Sequence, residues 1–429
     1  MYLFRLLFNH LKLKSYFTMA SRNLPIVDWL QIESSAPGKF IISGEYSVAY
    51  EKQAIAAAID LRTRVTIKPN KDGKVRLVLK SLDSTREWST SSLTMFRFVT
   101  KYSECLDFID TMPAKLTHLL HPRFNPNSSS SSTKSPASSS GQKQPEMKET
   151  DKKVDDAAIA FLLLYIGLGD SYCSSARPPI DVEVESDIPV GSGLGSSSAF
   201  SVALCGALMR VFRVAAEKYV ISNWAFNIDK FFHGKPSGVD NNVVAHGSYI
   251  LFQNGKIKAC GVSHKVPVRV LLVDTCVSRS TKTLLDGVAL RMSDDPQRIL
   301  GIMNNINDIT TSIWRRLNDP DFTPKNISTF LQANQERLDA LGVGHEKIND
   351  IITKANQFDL TAKQTGAGGG GTAFVLYDLS DNCNGIKQLR NELETSGYRV
   401  SDHAIGCEGL VVKIIPDPDK QFSLNNDTK

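Results

Sequence analysis

No Cys-x-x-Cys pair occurs anywhere in the 429 residues. The seven cysteines, at 105, 173, 205, 260, 276, 383 and 407, are odd in number and widely spaced. That excludes a disulfide framework or a zinc site and reads as reduced thiols in an intracellular protein. Long apolar runs are also missing. The longest, 157–168, is well short of the roughly 20 residues a membrane-spanning helix needs. Charge of one sign is scarce in excess: 50 Lys and Arg against 45 Asp and Glu leave +5, too little over this length to argue for nucleic acid. The phosphate-binding pattern GxxxxGK[ST] is absent, as are the HRD and DFG elements of protein kinases. What is present, 41% hydrophobic and 22% charged residues, is an ordinary soluble globular composition. The length suits two or three domains.

Two segments stand outside that globular pattern. Residues 1–30 begin with Arg5, Lys12, Lys14 and Arg22 among Leu, Phe and Tyr, with no acid before Asp28. This suits either a transit segment or an extension upstream of a second start at Met19, and it is set aside as an N-terminal extension. Between Ser128 and Ser140, nine of thirteen residues are serine. With almost nothing apolar to bury, ordering entropy dominates, and a disordered surface insertion is expected over about 123–152.

The remainder alternates strand and helix patterns. Residues 64–68 and 74–80 read as a hairpin across Pro69 to Gly73. Residues 180–185 alternate strictly, one face buried and one solvated. Residues 196–212 are apolar nearly all round, which predicts a central buried helix. A strand over 246–252 and a turn at Asn254-Gly255 follow. Past a composition change near 261–265 come a strand at 268–274, helical patterns at 281–292, 299–317 and 326–356, a strand at 372–377, a helix at 386–396 and two closing strands. That order predicts an α+β protein.

Four stretches carry residues suited to chemistry. The first, PVGSGLGSSS at 189–198, joins the alternating strand to the buried helix. Glycines at 191, 193 and 195 permit positive φ and close backbone approach. The helix N-terminus after them offers unpaired N–H groups and the positive dipole end, so the segment reads as an anion site or as a turn with serine caps. Ser196, Ser197 and Ser198 add hydroxyls, any one of which is a candidate Mg²⁺ ligand or a helix cap. The second stretch, HGKPSGVDNN at 233–242, sets Asp240 after a tight turn, either as a proton acceptor or as a cap, with Asp229 eleven residues earlier as a second carboxylate. In the third, QTGAGGGGT at 364–372, five of the six residues 366–371 are glycine ahead of a strand, which favours a positioned loop over a linker. The fourth, SAPGKFIISGEYSV at 35–48, places Lys39 between Pro37-Gly38 and an apolar strand, either solvated or facing a cleft.

Together and in this order, SAPGKFIISGEYSVAY, PVGSGLGSSSAFSVAL, HGKPSGVDNNV and KQTGAGGGGTAF resemble the GHMP superfamily of small-molecule kinases, and within it the mevalonate kinase family. HGxPSGVDN is the most specific pointer, and the likeness covers roughly 32–418. The resemblance implies a two-domain α+β GHMP kinase fold. Its N-terminal α/β domain has a nucleotide loop of left-over-right βαβ type, its C-terminal domain is a ferredoxin-like α/β sandwich, and a cleft lies between them. The implied boundaries are 31–262 and 263–418, with a tail over 419–429.

The resemblance also implies the reaction: the γ-phosphoryl of ATP passes to the C5 hydroxyl of mevalonate, giving 5-phosphomevalonate for isoprenoid and sterol synthesis. Asp240 matches the catalytic base and Lys39 its electrostatic partner. The loop Gly191, Ser192, Gly193, Leu194, Gly195, Ser196 and Ser197 matches the triphosphate site. Ser197 matches a Mg²⁺ ligand, and Asp229 stands where the family usually has a Glu as the second. Lys39, Glu45, Ser237, Asp240, Thr281 and Ala367 match the substrate side. Two positions depart: Tyr46 stands where mammalian-type members have His, and Phe200 where they often have Tyr. A cytoplasmic homodimer without nucleic-acid or membrane partners is expected. The alternatives are another kinase of the superfamily, such as phosphomevalonate kinase, for whose extra phosphate Arg62, Arg64 and Arg279 are candidates, or a non-catalytic ligand sensor of the same fold.

Overall fold

The computed structural model describes residues 22–23, 29–96, 112–117, 120, 149–173, 176–234, 236–264, 266–277, 280–379 and 383–417. The serine-rich run, nearly all of the N-terminal extension, Arg279 and the 419–429 tail lie outside the described residues. Residues 149–152, which fall within the expected insertion, form the first turn of a helix, α1 (Glu149–Tyr172).

The first half builds one eight-stranded sheet. Its strands are β1 (Trp29–Ser43), β2 (Ala54–Pro69), β3 (Lys74–Leu79), β4 (Ser84–Ser89), β5 (Ile180–Ser186), β6 (Tyr249–Gln253) and β7 (Lys256–Cys260). The last strand of the chain, β12 (Val411–Pro416), completes it by pairing antiparallel with β1. The order is β12-β1-β2-β5-β3-β4, with β6 and β7 continuing beside the start of β2. The strands expected at 64–68 and 74–80 both form, but they do not pair as a hairpin. β5 lies between them, antiparallel to β2 and parallel to β3. Local alternation marks a strand and its buried face but not its partner, and β5 offers Ile180, Val182 and Val184 as the better-buried neighbour.

Helices α1, α2 (Ser196–Val211), α3 (Lys218–His233) and α4 (Val239–His246) belong to the same half. Twelve of the sixteen residues of α2 are buried, as its all-round apolar character requires. At Gly247, φ is +78°, which ends α4 and delays the following strand to Tyr249.

The second half holds β8 (Val268–Asp274), α5 (Thr281–Asp294), α6 (Pro296–Leu317), α7 (Ser328–Ala340), α8 (Glu346–Asn356), β9 (Ala362–Gln364), β10 (Thr372–Asp378), α9 (Cys383–Thr395) and β11 (Arg399–Ala404). Its antiparallel sheet has the order β9-β10-β8-β11. Strand, helices, two strands, helix and strand in that order is the ferredoxin-like arrangement. The single helical pattern at 326–356 is divided into α7 and α8, and Gly342 in the break has φ +73°. Among the described residues, no helix is long and apolar enough to cross a membrane.

One irregularity sets up the site. The β1–β2 ladder shifts register between Pro37 and Gly38. Such a bulge bends a strand and re-aims the side chains beyond it. The next residue is Lys39.

Candidate active site

The glycine loop and β1 are tied at the backbone: Lys39 N–H donates to the Leu194 carbonyl at 2.9 Å. Gly191, Gly193 and Gly195 all have φ near +80° (85, 82 and 79°), conformations that L side chains rarely adopt. Gly195 is the N-cap of α2 and brings no side chain to cap it. A Cβ there would stand 2.9 Å from Lys39 Cγ, so the lysine stem runs directly against the glycine. The first N–H groups of α2 therefore open beside a buried cation, the arrangement that suits a phosphate.

Lys39 is 4% exposed, and its Nζ lies 3.0 Å from Asp240 Oδ2. Gly238, at φ +86°, turns the chain into α4, and Asp240 falls in the first turn of that helix. Asp240 is 38% exposed, so the pair joins a buried ammonium to a carboxylate that still meets solvent. Ser237 lies just before the same turn, where its hydroxyl accepts from Val239 N–H at 3.4 Å.

The serine run meets the end of α3. Ser197 Oγ is 2.9 Å from His233 Nε2, and the buried Ser198 hydroxyl donates to Asp229 Oδ2 at 2.6 Å. Ser197 and Asp229 are thus on adjoining contacts rather than bonded to each other. Burial pushes the Asp229 carboxyl up to about 7; the charge of Asp240 adds to the rise, while the Ser198 bond and Lys39 oppose it. Asp229 Oδ1 is buried without a hydrogen-bond partner. A hard divalent cation takes oxygen donors of this kind, so the residues present fit Mg²⁺. The His233 ring meets solvent on one side, yet crowding by protein on the other holds its pKa below the usual histidine value, against the pull of Asp240.

The second half bonds directly to β1 and to the glycine loop. Thr365 Oγ1 accepts from Ile41 N–H at 2.8 Å and donates to the Ile41 carbonyl at 2.9 Å. Thr372 Oγ1 donates to the Ser192 carbonyl at 3.0 Å, fixing β10 to the glycine loop. The Tyr46 hydroxyl donates to the Ala367 carbonyl, so the residue standing in place of His anchors the glycine-rich segment. Glu45, 2% exposed, pairs through Oε1 with Lys363 Nζ at 2.6 Å. Its pKa is raised by burial, with Lys363 and Lys39 opposing. Phe200 packs its ring against the main core.

Direct contacts therefore link Lys39 to the glycine loop and Asp240, and Ser198 to Asp229, while Glu45 is held by Lys363 and Ala367 by Tyr46. Thr281 is exposed at the start of α5, apart from these contacts. His233, Lys363 and Thr365 lie inside the motif strings, yet nothing in the sequence assigns them a role. For Lys363 the only available signal is its place at the head of a glycine run.

The family model described as GHMP kinases N terminal domain matches residues 157–248. The mevalonate kinase of Bos taurus is 30% identical over 404 residues, covering 88% of this chain and 94% of that one. The mevalonate kinase of Dictyostelium discoideum is 30% identical over 418 residues, covering 90% and 97%. The crystal structure of L. major mevalonate kinase in complex with R-mevalonate superposes with a TM-score of 0.63 at 18% identity, over 91% of this chain and 99% of that one. With the glycine loop, the lysine–aspartate pair and full-length likeness in agreement, the chain belongs to the mevalonate kinase family of GHMP kinases.

Proposed function

We propose that the protein transfers the γ-phosphoryl group of ATP to the C5 hydroxyl of mevalonate, with Asp240 as the base. The observation that carries the reading is the 3.0 Å contact of Lys39 with Asp240 beside the glycine loop, in a chain whose relatives are mevalonate kinases. Asp240 takes the hydroxyl proton as the oxygen–phosphorus bond forms. Lys39 stabilises the negative charge that develops on that oxygen, and its burial strengthens the interaction. The 191–197 backbone and the α2 N-terminus hold the triphosphate in line with the alcohol, which is most of what phosphoryl transfer requires. Ser197 and Asp229 would hold Mg²⁺, which when bound neutralises charge on the β- and γ-phosphates. Glu45, Ser237 and Ala367 belong to the substrate side, and Thr281, exposed at the start of α5, is placed with them on the family resemblance alone.

The arginines bear on the choice of alcohol. Arg62 donates to the carbonyls of Ser35 at 2.9 Å, Glu408 at 2.9 Å and Gly409 at 2.7 Å, and Arg64 pairs with Asp187 at 2.9 Å. Both are engaged within the fold, which favours mevalonate over a substrate that already carries a phosphate. The proposal extends to a cytoplasmic homodimer; Leu285, Leu290 and Leu300, exposed on α5 and α6, supply apolar surface for a second copy. A coupled ADP-release assay with mevalonate, phosphomevalonate and galactose tests the substrate. Turnover is expected with mevalonate alone. Turnover with phosphomevalonate instead contradicts the substrate, and ligand binding without ADP release contradicts the enzymatic role.

A further inference from the structure

We infer that Lys363 is a positioning residue for the substrate side: it fixes Glu45 as an anion, with one oxygen engaged by the ion pair and the other left for a substrate hydroxyl other than the one Asp240 deprotonates. The inference rests on the function proposed above and adds a residue that function does not use. Lys363 is fully buried in β9, and Glu45 lies just past β1, so the pair joins the two halves of the protein. The ammonium has a second bond, to the Gln364 carbonyl at 2.9 Å, and the Phe374 ring lies 5.6 Å from it. Residues 363, 365 and 367 are spaced by two, and each grips the 41–46 segment: Lys363 on Glu45, Thr365 on Ile41, Ala367 on Tyr46. That clasp holds the segment carrying the carboxylate against β9 and the glycine-rich stretch after it.

The unsatisfied atom distinguishes this pair from a purely structural one. Burying an ion pair is expensive, and replacing one with apolar residues is often neutral or stabilising. A pair retained only for stability should at least satisfy both carboxylate oxygens, since a buried acceptor without a donor is destabilising. Glu45 Oε2 is buried and has no hydrogen-bond partner. A hydroxyl donor from a bound alcohol would fill that role, and only an ionised carboxylate accepts it through either oxygen.

The charged groups facing Glu45 are Lys363 from β9 and Lys39 from β1. Burial raises the proton affinity of Glu45, and the two ammonium groups restrain it. Without Lys363, burial prevails and the carboxyl keeps its proton to higher pH. In Lys363→Met, the acid limb of kcat/KM against pH should move up by a unit or more, with KM rising more than kcat falls and partial recovery in alkali. Glu45→Gln/Lys363→Met replaces the pair with neutral groups and should raise KM about tenfold or more at every pH, with no displaced limb. A Lys363→Met profile that superimposes on wild type overturns the inference, as does a double variant with unchanged KM. If Lys363→Met alone does not fold, judged by circular dichroism, the double variant decides. Failure of the wild type on mevalonate counts against the proposed substrate only, because the pH displacement is measured with whichever alcohol the wild type phosphorylates.

Discussion

Gly195→Ala is the sharpest perturbation the loop offers, because it acts on two separable quantities. The first is backbone strain: alanine at φ +79° costs on the order of 1–2 kcal/mol. The second is a collision, since the new Cβ would stand 2.9 Å from Lys39 Cγ and 3.2 Å from Cε. The lysine stem must move, yet its Nζ is held by Asp240 and the side chain is 4% exposed, with little room to yield. Misplacing a reacting group by about 1 Å can lower a rate by about 10²-fold. The expected result is a stability loss of about 2 kcal/mol by denaturant unfolding and a kcat reduced by roughly 10- to 10²-fold. Gly255→Ala is the matched control: φ there is +69° and a Cβ meets nothing within 4 Å. It should lose a similar amount of stability and keep kcat. In a Lys39→Met background, the kcat effect of Gly195→Ala should largely disappear. Wild-type kcat in Gly195→Ala, or a kcat loss undiminished when Lys39 is already gone, would contradict the collision with the lysine stem.

Two further outcomes follow from the site. Asp240→Asn should retain nucleotide binding, measured by calorimetry, while kcat falls on the order of 10²–10⁴ for a lost base; near-full kcat removes Asp240 from that role. Ser198→Ala should destabilise the protein by about 2 kcal/mol at pH 8, because Asp229 would then have neither buried oxygen satisfied; an unchanged denaturant midpoint means the 2.6 Å bond contributes nothing net.

Local patterns in the sequence reach far into this fold. The alternation at 180–185 predicts a half-buried strand, and Ile180, Val182 and Val184 are the buried positions. The apolar run at 196–212 predicts the buried α2, and the Gly-Ser start predicts its open N-terminus. Pairing is not legible, because it is decided by residues far apart. Strands 64–69 and 74–79 are close in sequence and still take β5 between them, and β12 crosses to the first sheet to pair with β1. The helix break is marked in the sequence by Gly342-Val343-Gly344, a signal that the single pattern over 326–356 passes over. At the site, the turns before Lys39 and Asp240 leave each with two readings, the family resemblance implies their roles, and the structure brings them to 3.0 Å. Lys363 carries neither signal: a lysine at the head of a polar, glycine-rich stretch reads as exposed, and only its encounter with Glu45, 318 positions away, explains why it is buried. The Asp229 contact with Ser198 rather than Ser197 likewise depends on the rotation of α2 against α3, which spacing does not encode.

Lys39 and Asp240 act as one unit, and a double-mutant cycle in kcat reads that unit directly. Lys39→Met, Asp240→Asn and the combined variant are compared under saturating substrates, with fold integrity checked by circular dichroism. Groups that work together do not add, so the combined variant should fall within a few-fold of the more damaged single variant. Losses that multiply would mean that the two side chains act independently, and the shared site would have to be abandoned.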